Sequence, residues 1–194
     1  MTDHSQNNSL IIRPASLEDG LKLAEMTRVL FEYERVLAEP ASELKPSATS
    51  HEELREQLQH PDIQFFLAEQ QLGQERQIVG YLKAVVIGKQ PRNENGGSIN
   101  SLLEGLSRWF HRSVFRQPRP APQLEMGYIA GLFVHPDLRR LGIGRKLTAA
   151  AEDWFRQQGI KTCELHVLES NETGRKFWEE TGYAPVSLGM RKKL

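Results

Sequence analysis

The stretch that decides the fold is LFVHPDLRRLGIGR, at residues 132–145. Its apolar start is typical of a buried β-strand, Pro136 marks a turn, and a helical apolar pattern follows the two glycines. The turn therefore brings three arginines and the free N–H groups of a helix N-terminus together at Gly142 and Gly144. Because such N–H groups carry partial positive charge, the stretch predicts a pyrophosphate site.

Two well-known phosphate-binding motifs fit these residues less well. A dinucleotide-binding fingerprint needs a third small residue where Leu147 stands, and a P-loop needs Lys and Ser or Thr directly after its last glycine. A helix start with solvated arginines and a glycine-eased turn stays open as the alternative. The glycines favour the pyrophosphate site, since phosphate oxygens approach a backbone without Cβ atoms closely.

A second motif, NETGRKFWEETGY, stands at residues 171–183. Together with the Arg-x-x-Gly-x-Gly of Arg139, Gly142 and Gly144, it resembles the two conserved blocks of the GCN5-related N-acetyltransferase (GNAT) superfamily, over about the last third of the chain. The resemblance implies an N-acetyltransferase that moves an acetyl group from acetyl-CoA to a primary amine by direct attack in a ternary complex. A non-catalytic acyl-CoA-binding module and a transferase of another acyl group stay open.

The resemblance also implies which residues bind acetyl-CoA. In the family, main-chain groups of the strand hold pantetheine, the turn holds pyrophosphate, and an asparagine of the second block contacts CoA. On this sequence, the cofactor-binding residues are Leu132, Phe133, Val134, Arg139, Arg140, Leu141, Gly142, Ile143, Gly144, Arg145, Asn171 and Trp178. Core packing of the strand and helix capping by Asn171 are their plain structural alternatives.

The catalytic groups depart from the family pattern. By analogy, the backbone N–H of Val134 serves as the oxyanion donor. Trp178 stands where many relatives have a tyrosine that protonates the leaving thiolate, and an indole N–H donates a hydrogen bond but is no general acid at ordinary pH.

The general base is equally unconventional. Ala130 and Gly131 occupy the place where relatives most often carry an acid, and Tyr128 occupies another such place. Strand alternation predicts that Tyr128, Ala130 and Leu132 share one face. Tyr128 is therefore the polar candidate on that face, suited to hydrogen bonding or a water relay, with a core-edge role as the alternative.

The acceptor side is assigned by resemblance alone. In the family, the loop after the first helix borders the acceptor pocket, which makes Tyr33, Glu34 and Arg35 the candidate pocket residues. Their alternative is a solvated helix face. The acceptor is a small-molecule or peptide amine whose charge stays open. Cys163 and His166 lie three positions apart on a predicted strand, so they face opposite sides and predict no catalytic dyad.

Composition narrows the class of protein. The 25 Lys and Arg residues balance the 25 Asp and Glu residues, so nothing in the charge calls for nucleic acid. One cysteine excludes an internal disulfide, the histidines lack metal-ligand spacing, and no apolar run approaches the roughly 18 residues of a membrane span. We expect a cytoplasmic protein without metal and without membrane association, and a homodimer stays open.

The organisation along the chain predicts one domain. Residues 1–8 are predicted as a disordered leader and 9–194 as a single domain with an insertion at 88–123. The element order β-α-α-β-β-β-α-β-α-β predicts an α/β fold with a mixed sheet and helices on both faces, and the resemblance implies the GNAT fold with a mostly antiparallel sheet. Two capping boxes, at Ser16 and Ser50, open the first two helices, and the last strand is predicted at 184–188.

The insertion is the individual feature of this chain. It carries six basic and two acidic residues and an apolar pattern at helical spacing. Three roles stay open: a helix packed on its own domain or on a dimer mate, a lid over the acceptor site, or a basic amphipathic surface.

Overall fold

The computed structural model describes residues 9–38, 50–72, 75–88 and 125–190. The predicted leader, the loop at 39–48 and all of the insertion after Gly88 lie outside these residues. In the described parts of the chain, no helix is long and apolar enough to cross a membrane.

Nine helices and strands make up the described fold. In chain order they are β1 (Leu10–Pro14), α1 (Gly20–Leu37), α2 (His51–Gln59), β2 (Ile63–Leu72), β3 (Glu75–Ile87), β4 (Met126–Val134), α3 (Ile143–Gln157), β5 (Cys163–Leu165) and α4 (Glu172–Glu180). Short 3-10 turns, Leu17–Asp19 and Pro136–Leu138, precede α1 and follow β4.

The strands form one sheet in the order β1-β2-β3-β4-β5. Every pair is antiparallel except β4 and β5, which run parallel. The predicted mixed, mostly antiparallel sheet is therefore confirmed. Antiparallel neighbours follow from short connections such as the hairpin that joins Leu72 to Glu75, whereas the parallel pair needs the crossover through α3.

Each face of the sheet is covered by helices, as predicted. We call the two buried groups the α1-side cluster and the α3-side cluster. The α1-side cluster contains Leu23, Met26, Leu54, Ile63, Phe65, Leu67, Tyr81, Val85, Tyr128 and Phe133. The α3-side cluster contains Phe66, Ala68, Val79, Leu82, Ala84, Val86, Ile129, Ile143, Leu147, Ala151, Phe155 and Ile160.

Both predicted capping boxes are present. At the first, Asp19 accepts from the Ser16 backbone N–H at 2.7 Å, and a 3-10 turn intervenes before α1 begins at Gly20. At the second, the Glu53 N–H donates to Ser50 Oγ at 3.1 Å while the Glu53 carboxylate accepts from the Ser50 N–H at 2.8 Å. These exchanges satisfy N–H groups that have no partner inside a helix, so the boundaries are readable from sequence.

A β-bulge at Ala130 interrupts β4. Lys83 pairs with Gly131 and the next residue, Ala84, pairs with Ile129, so Ala130 is the extra residue. The bulge makes the predicted common face wrong: Tyr128 and Ala130 pack on the α1 side, whereas Leu132 packs against the α3-side cluster. One added residue exchanges the faces of all residues after it.

The end of the sheet is smaller than predicted. The strand predicted at 162–168 is confined to β5, and the strand predicted at 184–188 is wrong because residues 184–190 form neither helix nor strand. Val186, Leu188 and Met190 have 80%, 74% and 90% of their surface exposed. Their alternating apolar pattern is typical of a strand, but a strand also needs a hydrogen-bonded neighbour, and the described residues supply none there.

We expect Asp19→Asn to lower the free energy of unfolding at pH 7 by about 1–2 kcal/mol. Hydrogen bonds from Arg13, at 2.8 Å, lower the pKa of Asp19 to about 2. Its contribution is therefore complete above the ordinary value of 3.8 and is lost as pH falls through about 2. Urea unfolding from pH 7 to pH 2 tests this, with the exposed Asp137→Asn as control; a difference that persists at pH 2 would contradict it.

Candidate active site

The pairing between β4 and β5 ends at Ile129, before the end of β4. The β4–β5 ladder covers Gly127, Tyr128 and Ile129, with the Gly127 N–H donating to the Thr162 carbonyl at 2.8 Å. Beyond Ala130 no further pair of this ladder forms among the described residues. We call the space between the end of β4 and the turn before α4 the β4–β5 gap.

The bulge aims main-chain groups of β4 into this gap. The His135 N–H donates to the Val79 carbonyl of β3 at 2.8 Å. Because N–H groups alternate in direction along a strand, those of Val134 and Leu132 point away from β3 and into the gap. The side chains of these two residues pack against the α3-side cluster, and Phe133 packs on the other side.

The far wall of the gap is the turn before α4. The Asn171 side chain caps α4 by accepting from the Gly174 N–H at 3.0 Å, as predicted. The same oxygen accepts a longer hydrogen bond from the Tyr33 hydroxyl at 3.4 Å, and Ser170 Oγ donates to the Leu37 carbonyl at 2.8 Å. The last turns of α1 therefore rest on this wall.

Helix α1 also contacts the near wall. A Cβ placed on Gly131 of β4 would lie 3.3 Å from Leu30 Cδ2 and 3.5 Å from the Tyr81 hydroxyl. Leu30 and Leu37 are seven residues apart and so lie on one helix face. The C-terminal half of α1 therefore spans the gap from β4 to the turn before α4.

Glu34 is the acidic residue on this spanning face. It is partly buried, and burial raises its pKa to about 7. Its charge contributes to raising the pKa of both Tyr81 and Tyr128, two residues that pack on the α1 side of the sheet. The neighbouring Arg35 is also partly buried, but its guanidinium is held by Glu32 at 2.8 Å.

Tyr128 is joined to a residue that the sequence did not single out. Its hydroxyl lies 2.9 Å from His166 Nδ1, and the donor in this bond depends on the histidine tautomer. Burial raises the pKa of Tyr128 and lowers that of His166, while nearby Glu164 opposes the effect on the histidine. At neutral pH the pair is thus a neutral phenol bonded to a neutral imidazole.

The turn between β4 and α3 has the shape of an anion cradle. Arg140 and Gly142 both have positive φ, at 66° and 78°, on either side of Leu141. The first main-chain bond within α3 runs from the Lys146 N–H to the Gly142 carbonyl, so the N–H groups before Lys146 have no partner inside the helix. Alternating backbone of this kind with free N–H groups binds anions.

The three arginines of this turn have different surroundings. Arg139 donates from Nε to the Val134 carbonyl at 3.1 Å and stands 5.7 Å from the centre of the Tyr33 ring. Arg145 pairs with Glu180 of α4 at 3.0 Å. Arg140 is exposed and makes no ion pair with any residue that the structure describes.

The two glycines of the turn differ in the reason they are needed. A Cβ on Gly142 would meet nothing within 4 Å, but its positive φ disfavours any other residue. A Cβ on Gly144 would lie 3.1 Å from the ring of Phe177, so this glycine lets α4 approach α3. The sequence predicted both glycines for phosphate access, and only Gly142 has the conformation of such a turn.

Trp178 stands on the same side of α4 as Asn171, two turns further along. Its ring contacts Phe177 and Tyr183 edge to face, with centroid distances of 4.9 and 5.2 Å, and packs against the α3-side cluster. Tyr183 is held by Glu152, to which its hydroxyl donates at 3.2 Å. A core role for Tyr183 agrees with these contacts.

Sequence reasoning missed two features of the site. His166 forms no dyad with Cys163, and its partner is instead Tyr128, on the strand paired with β5. Glu34 is one of three residues predicted for the acceptor pocket, but that prediction does not distinguish it from its two neighbours. The apolar spacing of Leu30 and Leu37, which places Glu34 on their helix face, is the sequence signal that distinguishes it.

Comparisons with known proteins identify the family and the fold. A family model described as the acetyltransferase (GNAT) family matches residues 30–183. An uncharacterized N-acetyltransferase of Bacillus subtilis, YycN, is 33% identical over 86 residues, which cover 44% of this chain and 51% of that protein. The match thus spans about half the length of this relative.

Solved structures share the fold at low sequence identity. The tetramutant of the BH1408 protein from Bacillus halodurans is 17% identical, with a TM-score of 0.69 over 95% of this chain and 99% of that one. The aminoglycoside N-acetyltransferase AAC(6')-Iy in complex with CoA is 14% identical, with a TM-score of 0.64 over 98% and 97% of the two chains.

Proposed function

Because the chain belongs to the acetyltransferase (GNAT) family, we propose that it transfers an acetyl group from acetyl-CoA to a primary amine within a ternary complex. The observation that carries the proposal is the β4–β5 gap, which joins β4 main-chain groups at one end to the anion cradle of α3 at the other. Acetyl-CoA matches both ends, because its pantetheine arm carries the thioester and leads to a pyrophosphate. A relative that binds CoA has the same fold.

Acetyl-CoA is the donor substrate that these residues fit. The main chain of Leu132, Phe133 and Val134 borders the gap along which pantetheine would extend, in the manner of a strand added to an edge. The cradle at Arg139, Arg140, Leu141, Gly142, Ile143 and Gly144 would receive the pyrophosphate. Arg145 can contact the pyrophosphate only if its ion pair with Glu180 opens. The Asn171 side-chain oxygen already accepts hydrogen bonds, so its amide nitrogen is the group that would contact acetyl-CoA.

In the proposed reaction, the amine attacks the thioester carbonyl carbon directly. The Val134 N–H, which points into the gap, stabilises the negative charge that develops on the carbonyl oxygen. Collapse of the tetrahedral intermediate forms the amide and releases the CoA thiolate. Tyr128, bonded to His166, orders the acceptor or a water molecule beside the thioester, since its raised pKa keeps it protonated.

Trp178→Tyr tests whether a general acid is missing. The phenol keeps the edge contacts with Phe177 and Tyr183, so we expect an unchanged fold. We expect kcat to rise by about tenfold, less than the roughly 100-fold or more that a fully positioned acid contributes. Trp178→Phe, which has no hydroxyl, is the control for the change in ring size. An equal kcat for wild type and Trp178→Tyr would mean that protonation of the thiolate does not limit the rate.

The acceptor pocket is proposed at the C-terminal half of α1. Tyr33 and Glu34 border the gap, whereas the ion pair of Arg35 with Glu32 directs that guanidinium away from it. An aminoglycoside acetyltransferase from a soil metagenomic sample, solved in complex with sisomicin, has the same fold, which supports a small-molecule amine as the acceptor. The same pocket admits a peptide amine.

The test is calorimetric binding of acetyl-CoA together with CoA release across a panel of amines, amino acids, peptides and aminoglycosides, with products identified by mass. Acetylated product with one acceptor class would establish the transferase. Binding of acetyl-CoA without product from any acceptor would favour the binding module, and stronger competition by a longer acyl-CoA would point to another acyl group. Absence of binding would refute the assignment of the cradle.

A further inference from the structure

The position of Glu34 is fixed by the residues one turn before and after it on α1. Leu30 contacts Gly131 of β4, and the carbonyl of Leu37 accepts the hydroxyl of Ser170 before α4. Glu34 lies between them on the same helix face. Its side chain therefore projects from the face of α1 that spans the β4–β5 gap.

This carboxylate is a charge without a countercharge. None of the described residues forms an ion pair with Glu34, and burial alone accounts for its raised pKa. The other two acidic residues of α1 have ion-pair partners: Glu25 pairs with Lys22 and Glu32 pairs with Arg35. A partly buried carboxylate without a partner is costly unless a cation completes it.

The groups that face this part of α1 from β3 and β4 are hydrogen-bonding side chains, and the buried Lys83 of β3 is held by Gln57 of α2 at 2.8 Å. Tyr81 of β3 and Tyr128 of β4 both pack on the α1 side of the sheet, while His166 bonds Tyr128 and Glu164 pairs with it on β5. Tyr33, the neighbour of Glu34 on α1, carries its hydroxyl to Asn171, and the guanidinium of Arg139 lies against the ring of Tyr33. A cationic ligand bound at this face of α1 would meet one carboxylate, with the two phenols on the facing strands.

We propose that Glu34 receives the acceptor as an ammonium ion and removes its proton, so that the acceptors of this protein are alkylamines that are cationic at neutral pH. This inference rests on the proposed transferase function and adds to it the base and the charge of the acceptor.

The chemistry balances with groups already named. The ammonium gives one proton to the Glu34 carboxylate and becomes a neutral amine, which forms a C–N bond with the thioester carbonyl. The C–S bond breaks, the second proton of the nitrogen passes to the departing thiolate, and the proton on Glu34 returns to solvent. The products are the amide, CoA and one proton.

The pH dependence of kcat/KM should show the ionisation of the Glu34 carboxylate. Glu34 must be ionised to act, so we expect kcat/KM for an alkylamine to rise with pH through about 7, the value to which burial raises its pKa. Without Glu34, the neutral amine must come from solution, and the rise should move to about 10, the pKa of a free alkylamine.

Two small probes separate this role from a structural one. Ethylamine is a cation at pH 7 and needs a base, whereas hydroxylamine is neutral and needs none. We expect Glu34→Gln to lower kcat/KM for ethylamine at pH 7 by about 100-fold. For hydroxylamine, corrected for its uncatalysed reaction, we expect less than about a threefold change, and acetyl-CoA affinity should be unchanged.

Glu32→Gln is the matched control, because it makes the same change two residues away on the exposed face. It should leave both rates unchanged. Equal ethylamine rates and pH profiles for Glu34→Gln and wild type would overturn the inference and leave the transferase intact. Binding of acetyl-CoA by wild type with transfer to neither probe would overturn both.

Discussion

Gly142→Val should weaken the binding of CoA by about 100-fold or more. Valine at a φ of +78° carries about 1–3 kcal/mol of strain, which the turn relieves by rotating its peptide groups. Those groups are the N–H donors of the proposed anion cradle, so relief of strain and loss of the cradle occur together. Titration calorimetry with CoA measures the effect.

Gly159→Val is the control that separates the effect of backbone strain from the loss of the proposed CoA site. Gly159 also has a positive φ, +80°, and a Cβ there would likewise meet nothing within 4 Å, but it follows the other end of α3. We expect it to lower stability about as much as Gly142→Val and to leave the affinity for CoA unchanged. Equal CoA affinity in the two variants would refute the assignment of the cradle.

Gly80→Ala should lower the free energy of unfolding by about 2–3 kcal/mol and reduce acetyl transfer beyond that loss. The new Cβ would lie 2.7 Å from the carbonyl oxygen of Phe133 and 3.4 Å from Val134 Cα. Both are backbone atoms in a ladder, so β4 must move away from β3 at the residue that carries the proposed oxyanion donor. Urea unfolding and kcat, measured on the folded variant, test the two parts.

Gly131→Ala is the control for this change. Its Cβ would meet the end of the Leu30 side chain at 3.3 Å and the Tyr81 hydroxyl at 3.5 Å, and a side-chain end yields more easily than a backbone. We expect a loss of stability below about 1 kcal/mol, since small shifts of Leu30 relieve the contact. A loss equal to that of Gly80→Ala would show that the backbone contact at Phe133 is not the cause.

Sequence predicted those parts of the fold that local physics determines. The bounds of α2 and β4 follow from a capping box at Ser50 and from an apolar run that ends before a proline. The cap of α4 follows from Asn171, whose side chain reaches a backbone group three residues away. Such interactions involve neighbours in the chain, so a single sequence contains them.

The remaining errors concern residues that meet only in the folded sheet. The bulge at Ala130 depends on how β4 pairs with β3, and it places Leu132 on the face opposite to the predicted one. The bond between Tyr128 and His166 joins residues that are 38 positions apart. The strand predicted at 184–188 has a suitable pattern but no neighbour among the described residues, which the sequence of that segment does not reveal.

The bulge at Ala130 also separates two kinds of mutational constraint. After it, β4 turns its main chain toward the gap while the side chains of Leu132 and Val134 fill the α3-side cluster. At these two positions, packing in the cluster limits which side chains are tolerated. Any apolar residue that fits leaves the peptide groups of β4 in place. The opposite wall is built from α1 side chains such as Glu34. Substitutions on α1 can thus alter the proposed acceptor pocket while the proposed donor site persists, because main-chain groups form that donor site.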